Sequence, residues 1–273
     1  MKTSEYSFIL KLGKRVVCVK DEVVIVTGGS NGMGKYMAKK FAQEGAHVAI
    51  TGRNEEKLTQ AKEEIEATAT GSVMVVQMDV RQVEDVERMV EEVHHKFGRI
   101  DHLVNNAAGN FIAPAEKLSP NGWNAVIDIV LNGTYYCSYT VGHYWIEHGI
   151  KGTILNMVAT YAWDAGPGVI HSASAKAGVL AMTRTLAVEW GRRYGIRANA
   201  IAPGPIDRTG GADKLWESEE AAQRTIKSVP LERLGEPEEI GELAYFMLSD
   251  KAKYMNGEVI KLDGGQSLNQ YPF

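Results

Sequence analysis

The sequence predicts an α/β fold, a single domain built on a doubly wound parallel sheet of about seven strands with helices on both faces. Three observations predict it. Short runs of β-branched and other apolar residues alternate with amphipathic stretches along nearly the whole chain, the pattern of strands covered on both faces by crossover helices. The first run ends directly in a glycine-rich turn, Thr27-Gly28-Gly29-Ser30-Asn31-Gly32-Met33-Gly34, that opens a helix. No break in composition divides the 273 residues, a length that one domain fills.

The elements follow in order. Val23-Val24-Ile25-Val26 reads as a buried parallel strand. After Gly34, the residues Met37, Ala38, Phe41 and Ala42 fall at helical spacing among Lys35, Lys39, Lys40 and Gln43, and Gly45 stops the helix. Strands are expected over 47–51, 73–77, 102–104, 153–157, 197–201 and 258–262. Helices are expected over 55–67, 83–97, within 123–144, over 173–191 and over 237–248, the last with Pro237 in its first turn. The stretch 203–230 breaks the rhythm and is long for a connection. It is expected to be a substrate-lid insertion, with the Trp216 region closing over a ligand. Residues 1–18 carry Lys2, Lys11, Lys14 and Arg15 against Glu5 and lack the apolar centre of a secretory signal. They read as a poorly ordered extension before a domain spanning 19–273.

Bulk properties exclude several classes. A net charge of -4 argues against a nucleic-acid binder. No apolar run approaches the ~18 residues of a membrane span. Cys18 and Cys137 stand far apart in no CxxC pattern, so neither a disulfide nor a metal site is expected, only two reduced thiols in a cytoplasmic protein. His94 and His95, in a charged helical stretch, are expected to face solvent.

A strand, a glycine turn and a helix N-terminus form a diphosphate site: glycines let the backbone approach, and free N–H groups with the positive dipole end meet the anion. Gly28, Ser30, Asn31, Gly32, Met33 and Gly34 are the candidate contacts. An acid at the end of the second strand would select NAD through the ribose hydroxyls. The sequence there is Ile50-Thr51-Gly52-Arg53-Asn54. Arg53 suits a 2′-phosphate, so NADP(H) is the expected cofactor.

Four motifs coincide: TGxxxGxG at 27–34, Asn105-Asn106-Ala107-Ala108-Gly109 after the fourth strand, Lys176 in the helix after the fifth, and Pro203-Gly204 after the sixth. Together they resemble the short-chain dehydrogenase/reductase family over essentially all of 19–273. The resemblance implies a Rossmann-type sheet of seven strands and commonly a homotetramer. It places Asp79 by the adenine, Asn106 beside the cofactor and Lys176 on the nicotinamide ribose, and adds Pro203, Gly204 and Ile206 to the cofactor site. The family's helix asparagine is kept as Asn132. Two positions depart from the pattern: Ser172 stands where the family has its tyrosine, and Ala159 where it has its serine.

A tyrosine is present elsewhere, Tyr161, just after the fifth strand. Asn105-Asn106-Ala107-Ala108-Gly109-Asn110-Phe111, Tyr161 and Ser172-Ala173-Ser174-Ala175-Lys176-Ala177-Gly178 resemble one subgroup, the NADPH-dependent 2,4-dienoyl-CoA reductases of unsaturated fatty acid degradation. The resemblance implies hydride addition to the far end of a conjugated thioester, with charge appearing on the thioester oxygen. Tyr161 and Asn110 are then the expected oxyanion donors, and Ser172 and Lys176 share a helix face at i and i+4. Phe111 is expected to line the acyl slot, with Lys214 and Arg208 as candidates for the CoA phosphates. No metal is expected. Two other readings stand beside this one: a reductase of another carbonyl substrate such as a 3-oxoacyl group or a sugar, and a non-catalytic NADP-binding regulator.

Overall fold

The computed structural model describes residues 19–209 and 219–269. The extension 1–18, Lys214 and Trp216 lie outside them. Seven parallel strands form one sheet: β1 (Val23–Thr27), β2 (His47–Gly52), β3 (Val73–Gln77), β4 (His102–Asn105), β5 (Thr153–Met157), β6 (Arg197–Pro203) and β7 (Val259–Leu262). Their order is β3-β2-β1-β4-β5-β6-β7, so the winding reverses between β1 and β4, the place where open α/β sheets bind ligands.

The helices are α1 (Gly32–Gln43), α2 (Glu55–Glu66), α3 (Val83–Phe97), α4 (Pro120–Ile127), α5 (Gly133–His148), α6 (Ile170–Tyr194), α7 (Glu219–Ser228) and α8 (Pro237–Leu248). Side chains alternate along each strand, and β1 shows the result. Val24 and Val26 enter one core with Met37 and Phe41 of α1, Leu58 and Ile65 of α2 and Ile240 of α8. Val23 and Ile25 enter the opposite core with Val86 and Val93 of α3 and Val141 and Trp145 of α5. Cys137 is buried in the second core, where loss of hydration pushes its thiol up to about 12 and leaves it inert.

The structure departs from the sequence expectations in four places. The long helix expected within 123–144 is two helices joined by a π-helical segment, Asp128–Asn132, entered at Pro120 under a Ser119 cap. The inserted turn is a local feature that hydrophobic spacing does not encode. The stretch 203–230 is not all connection, since α7 occupies its end. Helix α6 begins at Ile170, which puts Ser172 inside the first turn. His94 does not face solvent freely: its Nδ1 is 2.9 Å from the Tyr144 hydroxyl, because α3 and α5 pack side by side.

Behind the strand ends runs a buried polar chain. Asn105 Nδ2 donates to Ser138 Oγ at 3.0 Å and to Asn156 Oδ1 at 2.9 Å, and Asn156 Nδ2 donates to Thr183 Oγ1 at 2.8 Å. It ties β4, α5, β5 and α6 together where no water can replace a lost partner. Asn156→Ala should therefore cost about 1–3 kcal/mol. A thermal melt followed by circular dichroism should fall by several degrees, at ~2–4 °C per kcal/mol for a domain of this size.

Candidate active site

The glycine turn is held by one threonine and one asparagine. Thr27 Oγ1 accepts from the backbone N–H groups of Asn106 and Ala107, each at 3.0 Å. Asn106 Nδ2 donates to the carbonyls of Thr27 and Gly28, again at 3.0 Å. Asn106 therefore acts as a latch on the turn, and its amide N–H groups are committed to it. Gly28 has φ +65, and a Cβ on it would stand 2.9 Å from Ala107 Cα. A Cβ on Gly34 would collide with the Gly28 carbonyl and the Asn106 amide. Only glycine lets strand end, turn and β4 loop close together in this way.

The N-terminus of α1 is open: Asn31 is the N-cap, its side chain makes no capping bond, and no acid stands in the first turn. Free N–H groups and the positive dipole end are the features that hold a diphosphate, and the residues present fit one. Beyond β6, which ends at Pro203, the chain comes back beside this turn at Thr209. The link is visible where a Cβ on Gly32 would lie 3.7 Å from Thr209 Cγ2, with Thr209 Oγ1 donating to the Ile206 carbonyl at 2.9 Å. Met33 packs against the core beneath the turn, so its backbone is what it offers a ligand.

At the end of β2, Ser30 Oγ lies 3.8 Å from a Cβ built on Gly52, and Arg53 stands exposed one residue further on. The Arg53 carbonyl accepts from Gln77 Nε2 at 3.0 Å, which fixes the backbone below its side chain. Asp79 is already committed. Its carboxylate accepts from Arg81 Nε at 2.9 and 3.0 Å and from Arg81 Nη2 at 2.5 Å. Those bonds from Arg81 hold it below the usual carboxylate range, with a smaller contribution from the charge of Arg53. Arg81 is a cation at this end of the cleft that sequence reasoning missed. Its signal was there, two residues after Asp79.

On the other side of the switch point, Tyr161 sits in a single 3-10 turn, Thr160–Ala162, after β5. Its hydroxyl is 3.1 Å from Ser172 Oγ. Four residues on, Lys176 is buried and donates from Nζ to the Met157 carbonyl at 2.5 Å. Burial pushes its ammonium down to about 8. Asn110 accepts from the Phe111 N–H through Oδ1 at 2.9 Å, a bond that leaves its amide N–H groups to donate elsewhere. Asn132 lies in the π segment and donates from Nδ2 to Asp128 Oδ1 at 2.9 Å; π turns recur at functional sites.

Phe111 is 41% exposed and meets the His171 ring edge-on, centroids 4.5 Å apart. The Ala113 N–H donates to the Gly168 carbonyl at 2.9 Å, stitching the β4 loop to the loop that carries Tyr161. Trp163, in that same loop, has Lys261 Nζ 5.1 Å above its ring. Arg208 is not brought to this group. It is forked onto Glu238 at 2.6 and 3.1 Å, bonded to the Tyr36 hydroxyl at 2.9 Å, and stacked over that ring. Its charge is spent within the fold.

The family model described as Enoyl-(Acyl carrier protein) reductase matches residues 28–267. A probable 2,4-dienoyl-CoA reductase of Bacillus subtilis, named as (2E)-enoyl-CoA-producing, is 63% identical over 255 residues, covering 93% of this chain and 100% of that protein. A peroxisomal 2,4-dienoyl-CoA reductase of Danio rerio, named as (3E)-enoyl-CoA-producing, is 39% identical over 248 residues, 90% of this chain and 82% of that one. Among solved structures, a short chain dehydrogenase from Bacillus anthracis superposes with a TM-score of 0.85 at 65% identity, covering 92% of this chain and 99% of that chain.

Proposed function

Because the chain belongs to the short-chain dehydrogenase/reductase family, we propose that it reduces a 2,4-dienoyl-CoA to an enoyl-CoA with NADPH as the donor. It is an oxidoreductase by that membership. The observation that carries the finer reading is the pairing of the Tyr161 and Ser172 hydroxyls at 3.1 Å, one turn of helix from buried Lys176. A phenol entering from the strand-end loop, rather than from the helix at 172, suits a donor that stabilises an oxyanion without surrendering its proton.

When bound, the nicotinamide supplies the hydride; the chain's own residues do the rest. Tyr161 must aim its O–H at the thioester oxygen, so within its pair the Ser172 hydroxyl is the donor and the Tyr161 oxygen the acceptor. That fixes the phenol's orientation. Asn110 gives a second neutral donor through Nδ2. Lys176 holds the nicotinamide ribose and adds positive field beside the developing charge. Asn132, fixed by Asp128, steadies the floor of the site from the π segment. Phe111 lines the acyl slot, and Lys214 meets the CoA phosphates. A homotetramer is in keeping with the family resemblance, and cysteines in no paired pattern suit a cytoplasmic protein.

NADPH oxidation measured with a 2,4-dienoyl-CoA tests the reading. Turnover is expected; its absence, with turnover of an isolated ketone instead, would overturn it. The cofactor is tested separately at Arg53, whose fork we assign to the 2′-phosphate. Arg53→Ala should raise the KM for NADPH about 10–100-fold, the size of a lost charge-assisted hydrogen bond of ~1.5–3 kcal/mol. The KM for NADH should hardly move. Equal effects on both cofactors would remove Arg53 from that role.

A further inference from the structure

The place of the Phe111 ring is set by two neighbours from other elements. The Phe111 N–H donates to Asn110 Oδ1 at 2.9 Å, so the ring begins one residue from the amide proposed to hold the thioester oxygen. On one side stands His171, 0% exposed in the first turn of α6, its ring edge-on to that of Phe111. A ring packed on all sides cannot swing out of the way. On the other side stands Gly122, in the first turn of α4. A Cβ built there would lie 3.1 Å from Phe111 Cζ, the tip of the ring, and 3.2 Å from Leu118 Cδ1. Phe111 nevertheless remains 41% exposed, so between these two neighbours its ring keeps one open direction.

Nothing in the backbone asks for glycine at 122. Gly122 is not among the residues of positive φ. Its N–H donates to Ser119 Oγ at 3.1 Å, a capping bond that any residue except proline can make. In a helix, glycine loses more conformational freedom on folding than alanine does, so it is a poor choice there. What the missing side chain supplies is room for the tip of Phe111. A larger residue would press on that tip. With His171 closing the far side, the ring could yield only in its open direction, and in the reading above that direction is the acyl slot.

We propose that Gly122 determines acyl-chain specificity: by lacking a side chain it lets Phe111 stand back from the slot, and so sets how long a chain the slot admits. The inference rests on the dienoyl-CoA reading above, with Phe111 as a wall of the slot. A chain that continues well past the diene has to run along the ring, whereas one that stops a single methyl beyond it meets the ring least. Gly122 itself touches neither the thioester nor the hydride. It acts through the position of Phe111, and its effect falls on which substrates reach the reacting geometry rather than on the chemistry. His171 serves the same device as the fixed stop behind the ring.

The test measures kcat/KM for 2,4-decadienoyl-CoA and for 2,4-hexadienoyl-CoA in the full chain, with NADPH as donor, and reads the ratio of the first to the second. Gly122→Val should lower that ratio about 10-fold or more, the scale on which an apolar pocket senses single methylenes. Gly122→Ala should move it the same way by less. Phe111→Ala should raise it by about as much as valine lowers it. The double variant, Gly122→Val with Phe111→Ala, should match Phe111→Ala alone, because the residue at 122 acts only through the ring. Phe111→Ala adds no bulk, so it carries the test alone if valine disrupts α4. A ratio within about 3-fold of wild type in Phe111→Ala, or in a folded Gly122→Val, overturns the proposal. So does a double variant that still loses the longer substrate relative to Phe111→Ala. A wild-type protein that consumes no NADPH with either dienoyl-CoA would instead overturn the functional reading on which the proposal rests.

Discussion

Tyr161→Phe is expected to lower turnover of a 2,4-dienoyl-CoA by about 10²–10³-fold, the usual cost of one oxyanion donor. The substitution removes a single oxygen and keeps the ring, so the 3-10 turn and its packing against Gly166 should survive. Because the lost bond strengthens as charge develops, kcat should fall and KM should move little. Ser172→Ala makes the companion measurement. If Ser172 acts only by orienting the phenol, its loss should cost less than that of Tyr161, and the double variant should be no slower than Tyr161→Phe alone. Additive losses would give Ser172 a role of its own. Unchanged turnover in Tyr161→Phe would take the phenol out of the site.

Lys176→Met should produce a protein that is more stable and nearly inactive. The ammonium is buried, and burial brings it down to about 8 from an ordinary value of 10.5. The native state therefore binds the proton less tightly than the unfolded chain does. Below about 8 the full cost of burying the charge is present, on the order of 3 kcal/mol at 1.36 kcal/mol per pKa unit. Stability then rises with pH between about 8 and 10.5, where the unfolded chain still holds the proton and the native state has released it. Methionine fills the same length without a charge, so its melting temperature at neutral pH should exceed that of the wild type by several degrees. That advantage should shrink as pH climbs past 8. Activity should behave oppositely. The variant should lose at least ~10²-fold in kcat/KM, and the wild type should itself decline as pH rises through about 8 and the cation is lost. A variant that melts lower at neutral pH, or a wild-type profile flat across that range, would contradict this account.

Much of the fold could be read from sequence because parallel strands buried on both faces appear as short apolar runs. The segments 73–77, 83–97, 153–157 and 237–248 coincide with β3, α3, β5 and α8. The π segment at Asp128–Asn132 was invisible, since one inserted turn leaves the helical pattern on either side intact. The start of α6 was misjudged for a related reason. Ile170 is 45% exposed while His171 is fully buried, so its first turn does not show the expected face.

For the candidate site, motif spacing placed Tyr161, Ser172 and Lys176 at one strand end. It could not show that Asn106 is spent on the turn, that Asp79 is spent on Arg81, or that Arg208 is spent on Glu238. Those pairings depend on what the fold brings near, as does the seat of Phe111 between His171 and Gly122.

The Asn106 latch has a consequence for order. The amide that clamps Thr27 and Gly28 belongs to the same short loop that, four residues later, presents Asn110, and Thr27 grips that loop's backbone in return. Whatever settles on the glycine turn therefore also steadies the loop proposed to grip the thioester. Kinetically, the protein should behave as a two-key lock: the nucleotide enters first and readies the second keyhole, and the acyl thioester arrives at a site already set.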